Sequence, residues 1–154
     1  MAQVKPFNWY GQEDAPGFAG LLSDITTHVI DSFGSEGGVE PGQFVMRGTD
    51  TSNQVKQVNA DTDSDKVIGI AVHVHKEPET PYYPDGYAVP VATFGDVYVE
   101  VATDVTAGDA VAIKTNGDHV DIVASATADA KALTNVTFLD NGTTGDIVRV
   151  RVRK

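Results

Sequence analysis

Tyr87-Ala88-Val89-Pro90-Val91-Ala92-Thr93-Phe94-Gly95-Asp96-Val97-Tyr98-Val99-Glu100-Val101 is the stretch whose reading decides the fold. Tyr87, Val89 and Val91 alternate with other residues, and so do Val97, Val99 and Val101. A period of two turns each set to one face of a strand, so both halves read as half-buried β-structure. Pro84-Asp85-Gly86 supplies a turn ahead of the first half, and Gly95-Asp96 is read as the link between two strands.

The same alternation recurs in Val148, Val150 and Val152 near the C-terminal end. Asn116-Gly117 lies between Val111/Ile113 and Val120/Ile122, which predicts a hairpin with positive φ at its two loop positions. Val67-Ile68-Gly69-Ile70-Ala71-Val72-His73-Val74 is apolar almost throughout, as a strand buried on both faces requires, and it is expected to be central. The form Val-x-(Pro/Ala)-Gly-x-x-Val occurs at Val39 to Val45 and again at Val105 to Val111, each time as a turn leading into a strand. Two copies of a turn do not by themselves establish a repeat. The expected architecture is all-β: a small barrel or sandwich of short antiparallel strands, carrying an extended N-terminal arm.

That arm is assigned to residues 1–38 and the β-rich domain to residues 39–154. The arm holds the only Trp, Trp9, together with Phe7, Tyr10 and Phe18, and is interrupted by Pro6, Pro16, Gly11, Gly17 and Gly20. Phe18, Leu21, Leu22, Ile25 and Val29 fall at spacings compatible with one helical face. The β-branched Ile25, Thr26, Thr27, Val29 and Ile30 oppose a helix, because such side chains lose rotamer freedom there. The Gly and Pro content argues against an independently folded arm, so its apolar residues are expected to pack on neighbouring chains.

Composition narrows the function classes. A chain of 154 residues is long enough for one core, and the absence of Cys removes disulfides, thiolate metal sites and thiol nucleophiles. A net charge of -11 opposes sequence-independent nucleic-acid binding, which needs a cationic surface, and disfavours anionic membranes. No apolar run approaches the roughly 20 residues that span a bilayer, and the polar start lacks the apolar core of a signal peptide. A soluble protein retained in the cytoplasm of the cell that makes it is expected.

The residues that could carry chemistry are few. Asp61-Thr62-Asp63-Ser64-Asp65 opens like a calcium loop, but Lys66 stands where the sharp turn needs Gly and Val72 where the bidentate Glu belongs. A solvated acidic loop is expected. His73 and His75 would share a strand face, with Glu77 and His119 as conceivable further ligands, yet nothing else in the sequence converges on them. No Gly-x-Ser-x-Gly elbow and no Gly-rich phosphate loop occurs. No catalytic residue, metal or cofactor is assigned.

The C-terminal run Ile147-Val148-Arg149-Val150-Arg151-Val152-Arg153-Lys154 carries four basic residues of the chain's eleven. Strand alternation would send the valines one way and Arg149, Arg151 and Arg153 the other. The cationic face is either a docking strip for an acidic partner or a terminal edge whose arginines pair with the chain's own carboxylates.

The ordered set Gly17-Phe18-Ala19-Gly20-Leu21-Leu22-Ser23-Asp24, Val39 to Gly48, Val67 to Val72, Tyr87 to Val101, and Val105 to Val111 with Phe138 and Gly145 to Val150 resembles the structural cement (capsid decoration) proteins of tailed bacteriophages. No single piece is specific; order and spacing carry the resemblance. The long loop from Lys76 to Pro84 and the basic end depart from the family's usual pattern. The resemblance implies a non-enzymatic all-β protein of the virion, seated on the outer capsid surface where major capsid subunits meet, self-associating as a homotrimer, and bracing the head against packaged DNA. Phe7, Trp9, Tyr10, Phe18, Leu21, Leu22, Arg149, Arg151 and Arg153 are then the candidate capsid or subunit contacts. Two other classes stay open: a carbohydrate-binding or host-adhesion module using Tyr82, Tyr83 and Tyr87, and a β-barrel enzyme using carboxylates or His73/His75.

Overall fold

The structure, a computed structural model, describes residues 17–23, 27–73 and 82–154. Its described residues form nine strands: β1 (Val29–Ser35), β2 (Phe44–Arg47), β3 (Gln54–Gln57), β4 (Val67–Ala71), β5 (Ala88–Glu100), β6 (Ala110–Asn116), β7 (His119–Ala124), β8 (Lys131–Phe138) and β9 (Ile147–Arg153). A short 3-10 helix covers Asp61–Lys66. The all-β expectation holds.

The central stretch differs from its expected form in one respect. Gly95-Asp96 does not link two strands: it lies inside β5, a single strand of 13 residues. Gly95 bends that strand with φ at 137°, a region that side-chain-bearing residues avoid, and a Cβ there would come within 2.5 Å of the His28 ring. The bend divides the strand's inward face. Val89 and Val91 enter one hydrophobic cluster, while Val97, Val99 and Val101 enter another.

The front half of β5 belongs to a closed five-stranded barrel, and the back half to a second set of strands that repeats its plan as a barrel left open between β5 and β7. In the first, β1, β3, β2, β4 and the front half of β5 follow one another, and β1 pairs with β5 to close the ring. In the second, the back half of β5, then β9, β8, β6 and β7 follow without a β5–β7 ladder, and just beyond β5 the Ala102 N–H reaches Ile122 O of β7 at 2.9 Å. Register is conserved in two of the matched ladders. Ile30↔Ala92, Asp31↔Val91, Ser32↔Pro90, Phe33↔Val89 and Gly34↔Ala88 correspond to Asp96↔Arg151, Val97↔Val150, Tyr98↔Arg149, Val99↔Val148 and Glu100↔Ile147. Val45↔Gln57, Met46↔Lys56 and Arg47↔Val55 correspond to Val111↔Ala124, Ala112↔Val123 and Ile113↔Ile122.

The recurring Val-x-(Pro/Ala)-Gly-x-x-Val is the visible trace of this repeat. Gln43 N–H donates to Glu40 O and Asp109 N–H to Thr106 O, closing the two turns, with Gly42 at φ 84° and Gly108 at φ 93°. Gly42 N–H donates to Ala71 O, and Gly108 N–H to Phe138 O. Val39 bridges Tyr83 as Val105 bridges Gly142. At two of these matched positions large and small residues are exchanged: Ala71 and Tyr83 line the first barrel, where the second has Phe138 and Gly142. The ring comes from Tyr83, ahead of β5, in one and from Phe138 of β8 in the other, an exchange that conserves packing volume.

Val39, Val45, Val55, Ala71, Tyr83, Val89 and Val91 line the first barrel. The larger cluster holds the second barrel's interior together with Phe44, Met46, Val58, Ile70, Val72 and Ala92, which point outward from the first. The outer face of one barrel is therefore continuous with the core of the other, and burying it stabilises the fold by about 25 cal/mol for each Å² of apolar surface taken out of water.

Several local expectations are refined. β4 lies between β2 and β5, and Val72 beyond it is buried, so the apolar run is central as read from the sequence; Val74 lies outside the described residues. The expected hairpin forms between β6 and β7, with Asn116 opposite His119. Its loop is Gly117-Asp118 and only Gly117 has positive φ, so Asn116 belongs to the strand. The pairing is not wholly antiparallel, since β1 runs parallel to β3 at Gly34 and Ser35. Val29 and Ile30 are strand residues, as their β-branching favours, and Ile25 of the helical alternative lies outside the described residues. Because β1 closes the first barrel, residues 29–35 of the assigned arm are integral to the fold.

Candidate interaction surface

Phe18, Leu21 and Leu22 belong to a segment, residues 17–23, that lies along the back half of β5. Gly20 N–H donates to Tyr98 O (2.8 Å), Tyr98 N–H to Leu21 O (2.9 Å) and Ser23 N–H to Asp96 O (3.0 Å), with Leu22 bridging Val97 antiparallel. Glycine makes this docking possible. A Cβ on Gly20 would stand 2.7 Å from Pro41 Cβ, and one on Gly42 would stand 2.6 Å from Ala19 Cβ. His73 N–H donates to Gly20 O (2.8 Å), which ties the segment to the end of β4 as well.

These contacts sort the arm candidates. Leu22 is partly buried against the larger core cluster of its own chain, and Leu21 is half-buried. Phe18 is exposed and sets its ring edge-on to His73, with centroids 4.9 Å apart. Phe7, Trp9 and Tyr10 lie outside the described residues.

The basic end alternates as its sequence predicts, with Val148, Val150 and Val152 buried. Its arginines do not form a uniform strip. Arg149 donates from Nε and Nη2 to the Asp140 carboxylate at 3.0 and 2.7 Å, and Arg151 donates to both oxygens of Asp96 at 2.8 and 2.9 Å. The first hydrogen-bonded pair lowers the Asp140 pKa and raises that of Arg149; the second raises that of Arg151. Arg149 and Arg151 thus pair with the chain's own carboxylates, the second of the two roles read from the sequence. Arg153 is exposed, beside the terminal Lys154, whose pKa burial lowers.

The other candidates sit apart from this surface. Asp61–Lys66 is a 3-10 helix in which Lys66 pairs with Asp63 at 2.7 Å, while Asp61 N–H donates to Thr115 Oγ1 at 2.8 Å. His119 lies between Asp118 and Asp121, at 3.3 and 3.5 Å. His75 and Glu77 lie outside the described residues, and among those residues no group of three His, Cys, Asp or Glu side chains is placed to hold a metal. A depression of about 510 Å³ is lined by Tyr98, Asp140, Asn141, Asp146, Ile147 and Arg149. Its charges are engaged: Asp140 with Arg149, and Asp146 Oδ2 with Thr143 N–H and Oγ1.

Two features were missed in the sequence. Asp96, buried at 2 % exposure, and Asp140 are the anchors of the basic end, and only the register of β5 and β9 reveals the Asp96 pairing. Val29, Ile30 and Phe94 are exposed apolar residues at one end of β1 and the middle of β5, Val29 and Phe94 being cross-strand partners. Their trace in the sequence is the β-branched pair Val29-Ile30, whose branching speaks for a strand and not for exposure.

The comparisons bear on the whole chain. It is similar over 100% of its length, and 99% of the other chain's, to a chain from "The capsid of Myoviridae Phage XM1", at 20% identity and a TM-score of 0.75. Over 82% of its length and 94% of the other's it is similar to "head fiber gp8.5 N base in bacteriophage phi29", at 11% identity and a TM-score of 0.53. At such identities the likeness is one of fold. No curated protein matches the sequence. The family described as structural cement protein (E217 gp24/Pam3 gp6) matches residues 6–153. With nearly every residue inside that match, the chain belongs to the phage structural cement protein family, and its role is a structural one at the capsid.

Proposed function

We propose that this cement protein seats on the outer surface of the phage head, associates as a homotrimer, and bridges neighbouring major capsid subunits against the pressure of packaged DNA. It would be made in the host cytoplasm and act without catalysis, cofactor, nucleic acid or membrane. The observation that carries the reading is mechanical: the two barrels share β5 and a continuous core. A body held at one barrel passes load to the other with no linker to stretch, so separating two bridged subunits requires breaking a docked contact. The net charge of -11 favours cationic patches on the partner and makes encounter salt-dependent.

The test is to add the purified chain to undecorated heads and measure the temperature of DNA release, with cross-linking to locate its contacts. Release at a higher temperature, with cross-links to two capsid subunits, supports bridging. Saturating attachment with unchanged release opposes it. A second reading, glycan binding, draws on the exposed Tyr82 and Tyr87, whose rings could stack on sugars. Binding of the isolated chain on a glycan array would favour it.

A further inference from the structure

The repeat allows each barrel to serve as a control for the other. On the second barrel, the edge of β5 at Asp96, Val97 and Tyr98 is covered by residues 17–23. The matched stretch of the first barrel is Ile30, Asp31 and Ser32 of β1. β1 meets β3 only at Gly34 and Ser35, so among the described residues no strand lies along that edge. Val29, Ile30, Asp31 and Ser32 are exposed in succession, which in a strand means exposure on both faces.

The backbone there is set to accept a strand. Ser32 stands opposite Pro90 as Tyr98 stands opposite Arg149, and the Tyr98 N–H and C=O point away from β9 to bond residues 21 and 20. The same register turns the Ser32 N–H and C=O outward, and Pro90 has no N–H to offer β1. Open edges of this kind pair with added strands.

The side chains differ between the barrels in the same sense. Val29, Ile30 and Phe94 are 47%, 38% and 40% exposed, where the second barrel has Gly95, Asp96 and Arg153. The shared plan therefore does not require apolar groups at these places. Basic residues neighbour Phe94: Arg153 is its cross-strand partner on β9, and Lys154 N–H donates to Thr93 O at 2.9 Å.

We infer that the open edge of β1 receives, as an added strand, the stretch Phe7-Asn8-Trp9-Tyr10-Gly11-Gln12-Glu13-Asp14 of a second copy of this chain. Three aromatic residues suit Val29, Ile30 and Phe94, and the two carboxylates that follow suit Arg153 and Lys154. A second copy is favoured because residues 17–23 run antiparallel to β5, with Gly17 at the Tyr98 side, the end farther from Phe94. The inference rests on the self-association in the reading above and not on attachment to heads.

Trp9 is the only Trp, so emission of the full chain reports on this stretch directly. On dilution, the emission should move to longer wavelength over the range in which light scattering shows the assembly dissociating. Phe94→Asp should raise the concentration at the midpoint about tenfold or more, as loss of a central interface anchor does. Because Phe94→Asp could disturb β5, the exposed pair Arg153→Glu/Lys154→Glu provides a second test; it should act in the same direction and be rescued by Glu13→Lys/Asp14→Lys in the same chain. Emission independent of concentration, which a seat on the same chain would give, overturns the inference. So does a midpoint unmoved by both sets of substitutions. Attachment to heads is measured separately, and its failure with these shifts intact would sink the capsid reading alone.

Discussion

Asp96 and Arg151 stand directly opposite each other on β5 and β9, and the guanidinium of one closes two hydrogen bonds on the carboxylate of the other at 2.8 and 2.9 Å. Asp96 is buried and Arg151 remains half-exposed, so the pair seals the side of the second barrel where the two strands run together.

Removing the cation should cost more than its position on a terminal strand suggests. Arg151→Ala leaves the Asp96 carboxylate desolvated with two charge-assisted hydrogen bonds lost, a penalty of about 1.5–3 kcal/mol. The melting temperature should fall by several degrees. Arg153→Gln, at an exposed position, should stay within about 0.5 kcal/mol of the parent. Thermal melts of the two variants check the contrast, and equal losses would contradict it.

The second pair predicts acid sensitivity. The hydrogen bonds from Arg149 hold the Asp140 carboxyl below its ordinary value of 3.8. A group with a depressed folded pKa contributes stability that is complete above the unfolded value and is lost as pH falls through the folded one. The melting-temperature gap between the parent and Arg149→Gln should therefore be full at neutral pH and close below about pH 4. Added salt should narrow it, because the pair is partly exposed and screened. A gap constant from pH 6 to pH 2 would show that Arg149 acts through packing alone.

Glycines test the docking of residues 17–23. Gly117 has positive φ in open space, so Gly117→Ala should cost only the strain of a left-handed residue, roughly 1–2 kcal/mol. Gly20 has φ 87° and would in addition drive a Cβ into Pro41 and the Gly42 backbone. Gly20→Ala should exceed the Gly117→Ala loss and speed hydrogen exchange at the Tyr98 amide, which bonds Leu21 O. Unchanged exchange at Tyr98 would mean that the segment is held elsewhere.

The sequence disclosed the strands because each alternating valine set reflects one local face, and the turns because Gly42, Gly86 and Gly108 are where the backbone needs positive φ. It hid the duplication. Matched residues such as Ala71 and Phe138, or Tyr83 and Gly142, share a backbone place and not a side chain, so only the paired turns survived as likeness. Gly95 misled for a related reason: glycine marks both a turn between strands and a bend within one, and the choice depends on β1 and β9, which are remote in sequence. The pairing of Arg151 was illegible because Asp96 lies on another strand, and a one-residue change of register would have placed it out of reach.

The shared strand and core make a last prediction about cooperativity. Two barrels joined by a linker would each bury their own interior and melt in separate steps. Here Phe44, Met46, Ile70 and Val72 of the first barrel belong to the same cluster as Val97, Ile113, Phe138 and Val150 of the second. Unfolding either barrel would strip apolar cover from the other and leave half of β5 without partners, so no state with one barrel folded should be populated. Calorimetry under conditions where the protein is monomeric should give one transition, with calorimetric and van't Hoff enthalpies equal. Ile70→Ala, at the junction, removes a fully buried side chain and should cost about 2–5 kcal/mol. Its single transition should move as a whole, and amides of β4 and β8 should lose protection together. Two resolved transitions, or protection lost in β4 and kept in β8, would show the barrels to be independent units that happen to share a strand.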